Sequence, residues 1–306
     1  MDPALQPIIL GSRGSALALA QTHQMLDALR RAHPGLRFDF KIIKTAGDLK
    51  TRPAVLPETG VKGLFTREIE VALAGRRADI GVHSLKDLPT ALPAGLILAA
   101  TPKRADARDV LISRGPKFGE LPRGAVVATS SLRRKGQLMA LRPDLKVVEI
   151  RGNVETRLRK LQEHKGWHAT VLAAAGIARL NLKLSDWGVV AHPFAPEEVL
   201  PAPCQAIIGL ETRADDERVL SLLQPINHDT TFQEATAERA FSHVLEGGCR
   251  TPVAAYAEVH GSKLTLRGAV FFEDGRVRFR DQISGEAKNA EELGKTLAAK
   301  AKAELA

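Results

Sequence analysis

Cysteine is scarce in this chain of 306 residues: Cys204 and Cys249 are the only two. That is too few for a disulfide framework or a structural zinc site, and it fits a reducing, cytosolic compartment. Aromatic residues make up 4% of the chain, so base-stacking platforms for nucleic acid are hard to build. No apolar run approaches the roughly 18 residues of a membrane-spanning helix, which excludes an integral helical membrane protein. The opening MDPALQPIIL has no basic segment and no long apolar core, so it is expected to be a first strand with no targeting signal. Solenoid-length repeats and low-complexity tracts are also missing.

What the chain has is positive charge. Lys and Arg total 44 against 35 for Asp and Glu, a net +9. Hydrophobic residues at 44% and charged residues at 26% are ordinary for a globular protein. The basic excess points to anionic partners: nucleic acid, an acidic membrane surface or acidic small molecules.

Patterning predicts strands at Ile8–Leu10, Phe38–Lys44, Ile80–Val82 and Leu96–Ala100, with helices over Ala16–Ala32 and Leu64–Ala74. The alternation suggests a parallel, doubly wound sheet. Residues 46–62 form a long connection with two prolines and two glycines, a candidate lid. A second α/β unit follows, with strands at Val110–Ile112, Val126–Ala128, Lys146–Ile150 and Thr170–Ala173 and a helix at Val154–Glu163. After Pro225 the pattern changes to a helix, Thr231–Leu245, and strands at Val253–Val259, Lys263–Phe271 and Arg276–Ile283, with an Asp-Gly turn signal at Asp274-Gly275. A final helix over Asn289–Leu305 takes Asn289 as its expected N-cap.

Four strand-to-helix junctions carry the chemistry. One holds Ser12, Arg13 and Ser15; another His83, Ser84, Lys86 and Asp87. A third holds Thr129, Ser130, Ser131, Arg133 and Arg134; the fourth Arg151, Gly152 and Asn153, with Arg157 one turn on. Ligands of doubly wound sheets bind at the carboxyl ends of strands, where helix N-termini, hydroxyls and guanidinium forks suit anions. Residues 130–160 contain nine basic and three acidic side chains. A solvated basic face is the plain reading of that stretch; a cleft for a ligand with several negative charges is the sharper one. Asp87 among cations can form a salt bridge, stabilise positive charge developing on a substrate, or relay a proton. His83 reads as a packed or hydrogen-bonded strand-end histidine rather than a catalyst, with no metal-ligand spacing around it. Cys249, in the loop LEGGCRTP beside Arg250, is either an inert buried thiol or a nucleophilic attachment point.

The segments SRGSALALAQ, KTAGD, KGLFTREIE, ADIGVHSLKDLPT, ATSSLRRKGQL, EIRGNVETRL, LAAAGIARL and LEGGCRTPVAAYA together resemble the porphobilinogen deaminase (hydroxymethylbilane synthase) family along nearly the whole chain. The resemblance implies an α/β fold of two periplasmic-binding-protein-like doubly wound domains plus a small α+β C-terminal domain with an antiparallel sheet. Residues 1–102 and 200–222 would form the first domain, 103–199 the second and 223–306 the third. It implies a cytoplasmic monomer without metal, membrane or nucleic-acid partners. It implies a dipyrromethane cofactor attached to Cys249 by a thioether. Four porphobilinogen molecules are joined to it head to tail, each with loss of ammonia, and hydrolysis releases hydroxymethylbilane. Asp87 matches the catalytic aspartate. Lys86, Asp87, Thr129, Ser131, Arg133 and Arg134 match cofactor-binding positions. Arg13, Ser15, Lys62, Phe65, Arg151, Arg157 and Gln205 match substrate-binding positions. Every pyrrole carries acetate and propionate, which the basic junctions would neutralise.

Two departures stand out. The family usually has Gly-Gln-Gly where this chain has Cys204-Gln205-Ala206. Glycine there permits backbone angles that Cys and Ala resist. Arg250, often glutamine in relatives, adds charge beside the cofactor cysteine. Rival readings are a non-catalytic anion receptor, which explains neither Asp87 nor Cys249, and a nucleic-acid binder, which the scarce aromatics disfavour.

Overall fold

The computed structural model describes residues 6–45, 65–245, 252–272, 274 and 276–305. The candidate lid 46–62, Lys62, Cys249 and Arg250 lie outside the described residues. In chain order the elements are β1 (Ile8–Ser12), α1 (Ala16–Ala32), β2 (Phe38–Ile42), α2 (Arg67–Ala74), β3 (Ile80–Ser84), β4 (Leu96–Ala100), β5 (Asp109–Ser113) and β6 (Val126–Ala128). Then come α3 (Leu132–Leu141), β7 (Lys146–Val148), α4 (Val154–Glu163), β8 (Ala169–Ala173), α5 (Ala174–Arg179), β9 (Val190–Pro193) and β10 (Ile208–Arg213). The chain finishes with α6 (Glu217–Leu223), α7 (Asp229–Leu245), β11 (Val253–His260), β12 (Lys263–Phe271), β13 (Val277–Glu286) and α8 (Ala290–Leu305).

The chain divides into two compact units, residues 1–105 with 207–232 and residues 106–206 with 233–306. The first holds a five-stranded sheet of order β2-β1-β3-β10-β4. Ile8, Leu10, Ile80, Val82, Ile208 and Leu210 of its strands bury against Met25, Leu26 and Leu29 of α1. Ser15 caps α1 by accepting a hydrogen bond from the Ala18 amide at 3.3 Å. The second unit repeats the plan as β7-β6-β8-β5-β9. Its α3 and α4 are capped by Ser131 and Asn153, whose side chains accept from the amides of Arg134 and Thr156.

The same unit carries the antiparallel sheet β11-β12-β13. Phe241 and Leu297 of α7 and α8 pack against Ala255, Leu264 and Leu266 of this sheet. Gly136 of α3 sits where a Cβ would come within 2.9 Å of Phe271, so only glycine lets α3 approach the sheet this closely.

The α/β class matches the expectation, but neither five-stranded sheet is wholly parallel. β10 runs antiparallel to β3 and β4, and β5 antiparallel to β8 and β9. In both sheets the reversed strand is the first one laid down after the chain enters the unit from the other. It arrives without a local β–helix–β crossover, so nothing forces it parallel. Two local expectations also change. Lys146–Ile150 pairs only as far as Val148. Asn289 closes a 3-10 turn, Ala287–Asn289, that runs directly into α8, so it is not a free N-cap.

Candidate functional site

In the first unit, four expected residues meet in one small cavity of about 70 Å³: Arg13, Ser15, Phe65 and Asp87. His83, Ser84 and Gln21 line it too. The Arg13 guanidinium lies 4.3 Å from the centroid of the Phe65 ring, a cation–π contact that holds both side chains. Ser84 and Gln21 hydrogen-bond across the cavity wall, with Gln21 Nε2 donating to Ser84 Oγ at 2.9 Å.

Asp87 is placed by local sequence logic. Leu85 and Leu88, three residues apart, are both 1% exposed and anchor the 3-10 turn Leu85–Asp87. The Leu85 amide donates to the Ile207 carbonyl at 3.0 Å. With the leucines fixed inward, Lys86 and Asp87 stand half-buried at the carboxyl end of β3. Among the described residues, Asp87 is the only acid lining the cavity.

In the second unit a single carboxylate organises the arginines. Asp109, fully buried at the start of β5, meets Arg133 Nη2 at 2.7 Å and Arg134 Nη2 at 2.8 Å. Gln205 Nε2 donates to Asp109 Oδ1 and to the Ala107 carbonyl, both at 2.8 Å. Arg133 and Arg134 also donate to the carbonyls of Leu200 and Val171. Burial pushes the Asp109 carboxyl up, but the charges of Arg133 and Arg134, with hydrogen bonds from Arg134 and Gln205, outweigh it and hold it well below the usual range. Burial depresses Arg133, against the pull of Asp109. Arg133, Arg134 and Gln205 therefore share one internal network centred on Asp109.

Thr129 is buried, and its hydroxyl accepts from the Ser131 amide at 3.2 Å. Arg151 is exposed and pairs with Glu149 at 3.3 Å. Arg157 is half-buried, and its Nε donates to the Gly152 carbonyl at 2.8 Å. Burial lowers the Arg157 pKa, and the like charge of Arg134 lowers it further.

The residues flanking Gln205 adopt the backbone expected of glycine: φ is 61° at Cys204 and 71° at Ala206. Their left-handed conformation costs a non-glycine residue about 1–2 kcal/mol each. The turn is held from three sides. Glu238, fully buried, accepts from the amides of Cys204 and Ala257, and Arg179 Nη2 donates to the Ala206 carbonyl at 2.7 Å. Burial pushes the Arg179 pKa down to about 10.

Sequence reading missed Asp109, Arg179 and Glu211. An acid opening an apolar strand (RDVLIS) and the lone cation of LAAAGIARL were the available signals for the first two. Nothing marks Glu211, which pairs with His83 across 128 residues.

Arg157 and Arg179 have no carboxylate partner among the described residues. Half-buried guanidiniums without a counter-charge fit a ligand that brings its own carboxylates. Among the described residues there is no cluster of three metal-ligating side chains and no helix long and apolar enough to cross a membrane.

A hydroxyl- and cation-lined cavity with one acid, at the carboxyl end of an α/β sheet, defines a protein that works on an anionic small molecule. Family comparison narrows this. The model "Porphobilinogen deaminase, dipyromethane cofactor binding domain" matches residues 8–221, and "Porphobilinogen deaminase, C-terminal domain" matches residues 232–303. Porphobilinogen deaminase of Roseiflexus sp. (strain RS-1) is 48% identical over 295 residues, covering 96% of this chain and 95% of that protein. The Paracoccus denitrificans (strain Pd 1222) protein of that name is 49% identical over 302 residues, covering 97% and 94%. That of Lysinibacillus sphaericus (strain C3-41) is 44% identical over 297 residues, covering 96% and 93%. The chain belongs to the porphobilinogen deaminase family. Its activity is that of hydroxymethylbilane synthase, a transferase of tetrapyrrole biosynthesis that acts on porphobilinogen and uses a dipyrromethane cofactor.

Proposed function

We propose that the first-unit cavity is where porphobilinogen reacts, and that Asp87 is its catalytic carboxylate. The observation that carries this is Asp87's position as the only acid, among the described residues, in a cavity where Arg13, hydroxyls, an amide and an imidazole meet apolar Leu17, Ala18, Phe65 and Val82. A carboxylate there stabilises the positive charge that develops on a pyrrole as its aminomethyl group loses ammonia. Arg13 and Ser15 would hold the substrate's acidic side chains, and Phe65 would pack against its ring. Lys62, Arg151, Arg157 and Gln205 complete the proposed substrate set, with Gln205 acting through Asp109.

The dipyrromethane is proposed to be held by Cys249 through a thioether and by Lys86, Thr129, Ser131, Arg133 and Arg134. When bound, it supplies the pyrrole to which the first substrate is joined. Arg157 and Arg179, which face no carboxylate among the described residues, support a polycarboxylate ligand of this kind. The two departures from Gly-Gln-Gly leave Gln205 seated on Asp109, which supports an active site that tolerates them. We further propose a cytoplasmic monomer with functional domains at 1–102 with 200–222, 103–199 and 223–306.

Intact mass and peptide mapping of the purified chain test the assignment. Two linked pyrroles on the Cys249 peptide are expected. Cys249→Ser should lose that mass and Cys204→Ser should keep it. Asp87→Ala should retain the added mass and lose turnover. Attachment surviving Cys249→Ser, or normal turnover in Asp87→Ala, overturns the corresponding role.

A further inference from the structure

His83 lines the reaction cavity yet has no part in the assignment above. It is 4% exposed and lines the same space as Asp87 and Arg13. Its Nε2 meets Oε2 of Glu211, a fully buried residue of β10, at 2.9 Å. Among the described residues the ring makes no other hydrogen bond. Gly81 leaves room for it: a Cβ there would come within 2.7 Å of His83 Nε2.

Charged and titratable groups surround the ring from each neighbouring element. Glu211 comes from β10 and Glu70 from α2, Arg13 follows β1, and Asp87 follows β3. α1 contributes Leu17, Ala18 and Gln21 to the cavity, none of them charged. Glu70 is 9% exposed; burial raises its pKa and the charge of Glu211 adds to the rise. Among the described residues, one oxygen of Glu211 and one of Glu70 have no hydrogen-bond partner.

Burying such a group gives little stability compared with apolar side chains of the same size. It does, however, set an imidazole for proton transfer. A carboxylate that accepts from one ring N–H fixes the tautomer and leaves a lone pair on the other nitrogen. We propose that His83, oriented by Glu211, is a further catalytic residue that carries the proton of each condensation at Nδ1. The proposal rests on the cavity being the porphobilinogen site.

The proton balance is simple. The C–N bond of the aminomethyl group breaks and the nitrogen leaves as ammonia with the electron pair. A C–C bond forms to the α-carbon of the pyrrole being joined, and that carbon loses its hydrogen as a proton. The sum is one ammonium ion per pyrrole joined. The aminomethyl group enters in its ammonium form, so neutral ammonia leaves; once the C–C bond has formed, Nδ1 takes the α-proton beside the Glu211 carboxylate and then passes it to the freed ammonia, giving the ammonium ion. No oxidant or reductant is needed.

The test combines ring NMR of ¹⁵N-histidine-labelled holoprotein with pH–rate profiles of two variants. In the wild type, the neutral His83 ring should carry its proton on Nε2. His83→Gln should keep the cofactor mass, keep KM, and lower kcat by about 10²–10⁴-fold. The acidic limb of kcat that reports deprotonation of His83 should vanish with it. Glu211→Gln removes the anion beside the ring, so its acidic limb should move to lower pH. A proton on Nδ1 in the wild type, or a His83→Gln enzyme with kcat within threefold and its limb retained, overturns the proposal. Should His83→Gln not fold, the ring signals and Glu211→Gln decide alone. Loss of turnover in Asp87→Asn with a normal His83→Gln would remove His83 and leave the cavity assignment standing; normal turnover in both would remove the cavity assignment.

Discussion

Asp109→Asn is the most demanding perturbation the structure offers, because it removes one charge and keeps the shape. The wild-type carboxylate faces Arg133 and Arg134, whose side chains are 7% and 8% exposed. The variant leaves two buried guanidiniums facing an amide, with Gln205 Nε2 a third donor on the same atom. Breaking a buried ion pair by removing one partner costs about 3–5 kcal/mol, because an uncompensated charge stays inside. For a unit of this size each kcal/mol shifts the midpoint by about 2–4 °C, so the second unit should melt roughly 6–20 °C lower. Calorimetry at pH 7 measures it, with the two units fitted separately.

A comparison variant isolates burial. Asp106 meets Arg108 at the same 2.7 Å, but the side chains are 39% and 45% exposed. Asp106→Asn should therefore cost no more than about 1 kcal/mol. The pH dependence supplies a second check. The folded state holds Asp109 below its ordinary carboxyl value, so its contribution is present above an unfolded value of about 3.9. It is lost as pH falls through the folded value. Wild-type stability should fall more steeply below about pH 4 than that of Asp109→Asn. An Asp109→Asn unit within about 1 kcal/mol of wild type at pH 7 would refute the reasoning.

Two further substitutions probe backbone and space. Ala206→Gly relieves the left-handed strain at φ 71° but loses a buried methyl and gains unfolded-chain freedom, so equilibrium denaturation should place it within about 1 kcal/mol of wild type. Ala206→Val, which adds a β-branch to the same backbone, should lose about 2 kcal/mol or more in the same assay. Gly81→Ala brings a methyl against His83, Ile69 and Leu73, and should cost about 1–3 kcal/mol by thermal melting. It should also shift the His83 ring signals, and unchanged signals would show that the ring has room to spare.

Local elements were largely legible in the sequence. The helix Ala16–Ala32 and the strands Val126–Ala128 and Lys263–Phe271 fall where periodicity places them. The glycine-like backbone at Cys204 and Ala206 was legible only through the Gly-Gln-Gly of the family the chain resembles, because neither Cys nor Ala signals a positive φ by itself. What local pattern could not supply was pairing across the chain. β10 sits between β3 and β4 although more than a hundred residues separate it from either, and no periodicity encodes that. The arginines illustrate the same limit in the site. A run of cations reads as a solvated or ligand-binding face, yet Arg133 and Arg134 turn inward onto Asp109, and only the fold reveals which cations are already spent on a neighbour. His83 was rightly read as a packed, hydrogen-bonded side chain; its partner was invisible until the sheet was assembled.

The central position of β10 has a consequence for how the molecule is made. Synthesis runs from the N-terminus, so β1 to β4 leave the ribosome before residues 106–206 exist, and β10 follows only after them. Until then β3 and β4 have no strand between them, and their facing edges are open to wrong partners. His83 lacks its carboxylate partner over the same interval, because Glu211 arrives with β10. The nascent chain therefore completes the imidazole's surroundings in the same event that seals its first sheet.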